Sequence, residues 1–162
     1  MTKLRHVGIT VRDAEQSLKL YRDYFKFEVV WDQIEEGDFI DSLSGIKNIK
    51  VRTIKLKSQE GMVELLQYLS HPSIENNKDK ITRVGCSHFA LTVDDLDKTY
   101  EDLIDLGLNF LDSPKKSADN NAKVCFCRDS DGTLIELVEE IKHRPVSTNV
   151  WSKRFSHYSD CL

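Results

Sequence analysis

The segment His88-Phe89-Ala90-Leu91-Thr92-Val93-Asp94-Asp95 indicates the architecture of the chain, because a similar segment occurs earlier. The first copy reads His6-Val7-Gly8-Ile9-Thr10-Val11-Arg12-Asp13, with histidine, threonine, valine and aspartate at matching positions. Each copy leads into an amphipathic helical pattern and later reaches an apolar run with a central glutamate. These glutamates are Glu64 and Glu136. The repeat predicts two copies of one structural module.

The opening segment of each module has the alternation of a β-strand. Val7, Ile9 and Val11 fall on one face, and His6 falls on the other. His88 likewise lies on the face opposite the aromatic and aliphatic residues of its strand. If helices cover the apolar faces, both imidazoles point to the uncovered, concave side.

The first module is predicted to be βαβββ. Its first strand covers 4–11, and Asp13 is expected to cap the helix that follows, with Gln16 as reciprocal partner. A polar hairpin region is expected around Gly37. Further strands are predicted at 27–31, near 39–43, at 49–56 and at 62–69.

The second module repeats this order with one strand less obvious. A strand over 86–93 precedes a helix that Asp94 or Asp95 caps, and Gly107 in the left-handed conformation ends that helix. A polar loop is expected at 112–121. Further strands are predicted at 108–111, 122–128 and 133–141.

The predicted fold class is α+β, with two βαβββ modules forming a curved mixed sheet around a metal-binding cleft. The first module covers 1–69, a linker covers 70–84, the second module covers 85–141 and a C-terminal tail covers 142–162. The tail has no counterpart in the first half. Its aromatic residues predict that it packs on something, such as a partner subunit; they are Trp151, Phe155 and Tyr158.

One histidine and one glutamate from each module form the candidate metal site. A glutamate between aliphatic strand residues is costly to bury as an anion unless a cation compensates it. Imidazole and carboxylate ligands suit Zn, Ni, Co, Mn or Fe. Taken alone, each residue is more often an edge histidine or a solvent-facing glutamate. Because the four residues occur at matching positions of an internal repeat, the interpretation as metal ligands is favoured. The predicted ligands are His6, Glu64, His88 and Glu136.

Composition argues against several other classes of protein. With 23 Lys and Arg against 27 Asp and Glu, the net charge of −4 gives no basic surface for nucleic acid. No apolar stretch has the length of a membrane span or of a signal peptide. The four cysteines form no CxxC pair, which favours a reduced, cytoplasmic setting.

Residues 4–141 resemble the vicinal oxygen chelate superfamily. The resemblance rests on the two His-x-x-x-Thr-Val-x-Asp openings, the paired modules and the ending Arg128-Asp129-Ser130-Asp131-Gly132-Thr133-Leu134-Ile135-Glu136-Leu137. This superfamily includes glyoxalase I, methylmalonyl-CoA epimerase, extradiol dioxygenases and bleomycin or fosfomycin resistance proteins. The resemblance places the metal ligands on the four residues named above, a set similar to that of the glyoxalase I and epimerase branches.

The resemblance implies a metal-dependent lyase or isomerase. Such an enzyme stabilises the enediolate that forms when a proton leaves the carbon next to a carbonyl, with Glu136 first and Glu64 second as the base. The implied substrate is a small molecule, either a glutathione adduct or an acyl-CoA. The run Val63-Glu64-Leu65-Leu66-Gln67 is slightly more similar to the epimerase branch. We expect a homodimer, with the site formed within one chain or across two.

Two alternatives share this fold. An extradiol-type dioxygenase would use two histidines and one glutamate, and Glu64 weighs against it. A non-catalytic binding or resistance protein would hold its ligand in the same cleft and tolerate Glu136→Gln. Histidines in the linker and tail are not expected to be ligands. Four basic residues are loose candidates for gripping an acidic substrate, although solvated surface charge is favoured for each: Arg5, Arg12, Arg83 and Lys123.

Overall fold

The computed structural model describes residues 2–72, 81–82 and 84–141, and it has the predicted α+β class. Each module forms its own open sheet. The predicted tail 142–162, with its aromatic residues, lies outside the described residues, as does most of the predicted linker.

The first sheet has the strand order β1-β4-β3-β2. β1 pairs with β4 in parallel, and the other neighbours are antiparallel. The α-helix α1 continues directly into a π-helical segment. The elements are β1 (Val7–Thr10), α1 (Ala14–Leu18), the π-helical segment (Lys19–Tyr24), β2 (Glu28–Glu36), α2 (Asp38–Ser44), β3 (Lys50–Lys57) and β4 (Met62–Tyr68).

The second sheet repeats this arrangement with the order β5-β9-β8-β6. β5 pairs with β9 in parallel, as β1 does with β4. A further short strand, β7, also pairs with β8. The elements are β5 (Phe89–Thr92), α3 (Leu96–Asp105), β6 (Asn109–Phe110), β7 (Lys115–Lys116), β8 (Ala122–Arg128) and β9 (Leu134–Glu140).

The strand predicted near 39–43 is wrong, because Asp38–Ser44 forms the helix α2. Gly45, at φ 72°, ends the helix in the left-handed conformation. The Asp41 carboxylate accepts hydrogen bonds from the backbone N–H groups of Asn48 and Ile49, at 2.7 and 2.9 Å, which fixes the turn after it. The polar hairpin region expected around Gly37 is instead the junction between β2, which ends at Glu36, and α2, which begins at Asp38. β2 is exposed along almost its whole length.

The strand predicted at 108–111 is present in shorter form as β6, and a further short piece, β7, follows it. β6 pairs with Cys127 and Arg128, and β7 pairs with Lys123 and Val124. Both pieces lie along β8, where β2 lies along β3 in the first sheet. The predicted polar loop 112–121 therefore contains β7 and completes the repeat.

The two modules share one hydrophobic core. Buried side chains from both halves, including Leu65 and Leu137, belong to a single cluster. The Tyr21 and Phe89 rings, one from each module, lie with centroids 6.4 Å apart. The predicted caps are confirmed, since Asp13 and Asp95 accept hydrogen bonds from the first turns of α1 and α3.

The hairpin between β8 and β9 joins the modules through what we call the module clasp, formed by Arg12, Tyr21, Asp129 and Asp131. The buried Tyr21 hydroxyl donates to Asp129 Oδ2 at 2.9 Å. Asp129 Oδ1 accepts from the backbone N–H groups of Asp131 and Thr133. At the surface, Arg12 Nε donates to Asp131 Oδ1 at 2.6 Å. The clasp therefore combines a buried hydrogen bond with an ion pair between modules.

Replacing Tyr21 by Phe should destabilise the protein. The change removes a donor from a buried carboxylate, which costs about 1–3 kcal/mol of unfolding free energy. Urea denaturation measures this. Tyr24→Phe is the control, because the Tyr24 hydroxyl donates to the more exposed Asp102 at 3.2 Å and should cost less than about 1 kcal/mol. Equal costs for the two variants would contradict the role of the clasp.

The stability contribution of Asp129 should depend on pH. Burial raises the pKa of this carboxyl above its ordinary value, against the lowering effect of its hydrogen bonds. The folded protein thus binds this proton more tightly, so the stabilisation is present below the ordinary pKa and is lost as pH rises through the raised one. Asp129→Asn should therefore cost more unfolding free energy at about pH 4 than at about pH 7. Urea denaturation at both values checks the sign, and the reverse order would refute it.

Candidate metal centre

Both candidate histidines lie immediately before a strand that begins its module's sheet. His6 precedes Val7, the first residue of β1, and His88 precedes Phe89, the first residue of β5. The predicted strands 4–11 and 86–93 are therefore shorter than expected at their starts. The predicted alternation holds, since Ile9 faces the core.

Parallel pairing brings each histidine to the glutamate of the same module. Gly8 pairs with Glu64 and Ala90 pairs with Glu136, so a small residue faces each carboxylate. A Cβ atom added at Gly8 would lie 3.8 Å from Glu64 Oε2. The small residues leave each glutamate free to lean toward the imidazole at the start of the neighbouring strand.

The result is two matching half-sites, each with one imidazole and one carboxylate. His6 Nε2 lies 3.2 Å from Glu64 Oε2, with side chains 29% and 14% exposed. His88 Nε2 lies 3.1 Å from Glu136 Oε2, with side chains 33% and 23% exposed. Both pairs are therefore partly shielded but open to a ligand from one side.

The donor atoms of each half-site fit a divalent cation. Two ligand atoms about 2.1 Å from one ion and about 90° apart lie about 3.0 Å from each other. The observed separations of 3.2 and 3.1 Å are close to that value. His88 Nδ1 lies 2.8 Å from Ser87 Oγ, the kind of contact that orients a ligating imidazole through Nε2. Among the residues that the structure describes, none forms a hydrogen bond with the buried His6 Nδ1.

The two half-sites do not merge within one chain. Over residues 2–72, 81–82 and 84–141, no three His, Cys, Asp or Glu side chains gather in a group that could hold a metal ion. Each module thus supplies two of the four predicted ligands, and two donors are fewer than the usual coordination number of these ions. A second pair must come from elsewhere for a complete site.

Two neighbours of the half-sites were not identified from the sequence. Lys55 pairs with Glu64 across β3 and β4, and its Nζ lies 3.7 Å from Oε1 of that glutamate. Phe126 occupies the equivalent position in the second sheet, and its ring meets that of His88 edge-on at 5.3 Å. Lys55 lies in the predicted strand 49–56, but the sequence does not fix its register against the strand that bears the glutamate.

The four basic residues that were candidates for gripping an acidic substrate are not placed at the half-sites by the structure. Arg12 belongs to the module clasp. Lys123 Nζ contacts two carboxylates beside α3, at 2.7 and 3.5 Å. Arg5 is exposed, and Arg83 lies outside the described residues, as do the tail histidines.

The two strand cysteines, Cys125 and Cys127, face the hydrophobic core. Burial raises the pKa of Cys125 to about 11 and that of Cys127 to about 12, so both thiols stay protonated near neutral pH.

Among the helices that the structure describes, none is long and apolar enough to span a membrane.

Comparisons of the sequence and the fold with those of known proteins agree on one family. The chain is 31% identical over 169 residues to lactoylglutathione lyase of Schizosaccharomyces pombe, covering 96% of this chain and 53% of that relative, so it spans about half of the lyase. It is 27% identical over 143 residues to the mitochondrial methylmalonyl-CoA epimerase of Dictyostelium discoideum, covering 85% of this chain and 78% of the epimerase.

A glyoxalase family protein from Bacillus cereus has the same fold, with a TM-score of 0.80 at 19% identity, over 88% of this chain and 96% of that one. The family profile described as the Glyoxalase/Bleomycin resistance protein/Dioxygenase superfamily matches residues 3–137. This match covers most of the chain and agrees with the repeated sheets. The resemblance inferred from the sequence is confirmed, and the chain belongs to the Glyoxalase/Bleomycin resistance protein/Dioxygenase superfamily.

Proposed function

We propose that this chain is a metal-dependent lyase or isomerase that moves a proton on the carbon next to a substrate carbonyl. The observation that carries the proposal is the pair of matching half-sites, each with an imidazole nitrogen and a carboxylate oxygen 3.1–3.2 Å apart. Similarity to a lactoylglutathione lyase and a methylmalonyl-CoA epimerase supports this class of reaction. The proposed substrate is a glutathione adduct or an acyl-CoA.

We further propose that the complete metal site forms across a homodimer. His6 and Glu64 of one subunit would hold the ion together with His88 of the partner subunit and Glu136 of the partner subunit. A two-fold dimer then contains two equivalent sites. Zn, Ni, Co, Mn and Fe all accept this donor set.

When bound, the ion supplies positive charge that stabilises the negative oxygen formed as the substrate loses its proton. The chain itself must move the proton, and Glu136 is the proposed base. Among the described residues, Glu136 has no lysine or arginine within ion-pair distance, whereas Glu64 has Lys55 nearby. Glu136 is therefore the carboxylate with fewer interactions to lose when it turns toward the substrate. Phe126 packs edge-on against His88 at 5.3 Å and gives this half-site an apolar neighbour.

The proposal includes a reducing, cytoplasmic setting. Cys86, Cys125 and Cys127 are free thiols in the structure, as expected where disulfides do not persist. Metal analysis of the purified protein, together with deuterium exchange into a glutathione hemithioacetal and an acyl-CoA thioester, tests the function directly. Exchange into neither substrate by the metal-loaded protein would contradict it.

Mixing two inactive variants should restore metal sites if the site crosses the dimer. The double variants His6→Ala/Glu64→Ala and His88→Ala/Glu136→Ala each leave one intact half-site per subunit. A mixed dimer has one site with both halves intact, so random exchange should recover about a quarter of the wild-type metal content. Metal analysis and proton-exchange activity measure the recovery.

The unmixed variants are the controls and should bind almost no metal. A site that forms within one chain would give no recovery in any mixture. A mixture that stays metal-free although its subunits have exchanged, as mass spectrometry of differently tagged chains would show, therefore contradicts the shared site.

Glu136→Gln should lower the proton-transfer rate by about 10²–10⁴-fold, because the amide cannot accept the proton. The measurement is kcat for deuterium exchange at saturating metal. Glu140→Gln is the matched control, because Glu140 is exposed on the same strand and should leave the rate unchanged. An unchanged rate in Glu136→Gln would exclude this residue as the base and favour Glu64, the second carboxylate, in that role. Ligand binding by the wild type without any proton exchange would favour a binding protein of the same fold.

A further inference from the structure

The two half-sites differ in the side chains that lie beside their glutamates on the neighbouring strands of each sheet. In the first sheet, the half-site glutamate pairs with Lys55, and Lys55 pairs with Trp31. In the second sheet, the half-site glutamate pairs with Phe126. Leu111 lies beyond it and donates its backbone N–H to the Phe126 carbonyl at 2.9 Å. The half-site of the first sheet thus has a cation and an indole on the neighbouring strands, whereas the half-site of the second sheet has two apolar side chains beside it.

Lys55 is half-buried, and within the described part of the chain its ammonium has two neighbours, Glu64 and Trp31. Its Nζ lies 3.7 Å from Glu64 Oε1, beyond hydrogen-bond distance. It also lies 5.4 Å from the centre of the Trp31 ring, within cation–π range. By comparison, Lys123 makes a 2.7 Å contact with one carboxylate and lies 3.5 Å from another. The Lys55 ammonium therefore retains N–H donors for a ligand beside the half-site of His6 and Glu64, and its side chain is 29% exposed.

We propose that Lys55 and Trp31 form a carboxylate subsite beside the half-site of His6 and Glu64. This inference rests on the proposed function and narrows its substrate class. The substrate carries a carboxylate close to the oxygens that approach the ligand pairs. Its uncharged part lies toward Phe126 of the partner subunit, because the partner would supply the other half-site.

Electrostatics explains why an anion would be required there. Glu64 is the carboxylate nearest to Lys55, and a divalent ion held by Glu64 would compete for the same negative charge. The ammonium and the ion would then repel each other across a partly shielded site. A substrate carboxylate beside Lys55 removes this repulsion, and a neutral group does not.

Two small ligands that differ in charge test this subsite. Malonate and its diamide, malonamide, have the same spacing of oxygens, but malonate alone is anionic. Their binding to the metal-loaded protein is followed by Trp31 fluorescence in a Trp151→Phe background, because these are the two tryptophans of the chain. Lys55→Met should weaken malonate binding about tenfold and leave malonamide binding unchanged. Lys55→Arg should keep most of the affinity for malonate.

Lys116→Met is the control, because it removes the same charge from an exposed lysine of the other sheet. Equal affinity for malonate in Lys55→Met and wild type, or equal losses for both ligands, would overturn the subsite. The metal content of the same samples tests the proposed function separately. If the wild type binds no metal, that function fails, and the same comparison on metal-free protein decides the subsite by the same criteria.

Discussion

The parallel pairing of the first and last strand of each module is the constraint on which both half-sites depend. It brings together strands far apart in the chain and places a small residue, Gly8 or Ala90, against the glutamate. The histidine lies just before the paired strand, so its imidazole reaches the carboxylate. A shift of one residue in this register would turn the glutamate into the core and destroy the pair.

The module clasp supplies the second constraint, because it fixes one module on the other. Tyr21 and Asp129 are buried polar groups in a largely apolar core, and each satisfies the other at 2.9 Å. A buried carboxylate without such a donor is strongly destabilising. The sequence motif that most suggested the superfamily thus has a structural role in this chain: it forms the hairpin that carries Asp129 and Asp131, while Glu136 follows on the next strand.

Much of the fold could be predicted because local signals and long-range pairing agree. Alternation placed His6 opposite the core, and Asp13 and Asp95 cap helices as their positions suggested. The helix α2 was missed because its apolar residues form too short a pattern to separate helix from strand. β6 lies within the predicted strand 108–111, but β7 was missed because a two-residue strand leaves almost no periodicity. Lys55 was missed because its position beside Glu64 depends on pairing between strands, which the sequence alone does not fix.

The interruption between β6 and β7 also affects how the protein meets other chains. An outer strand with a continuous row of unpaired backbone groups can template the addition of a foreign strand, which begins edge-to-edge aggregation. The second sheet presents only two pieces of two residues at this margin, too short for a stable added strand. β2 is a continuous strand of nine residues at the corresponding margin of the first sheet, and it exposes Val30, Trp31 and Ile34 between its acidic side chains. Self-association through misfolding would therefore begin at the first sheet.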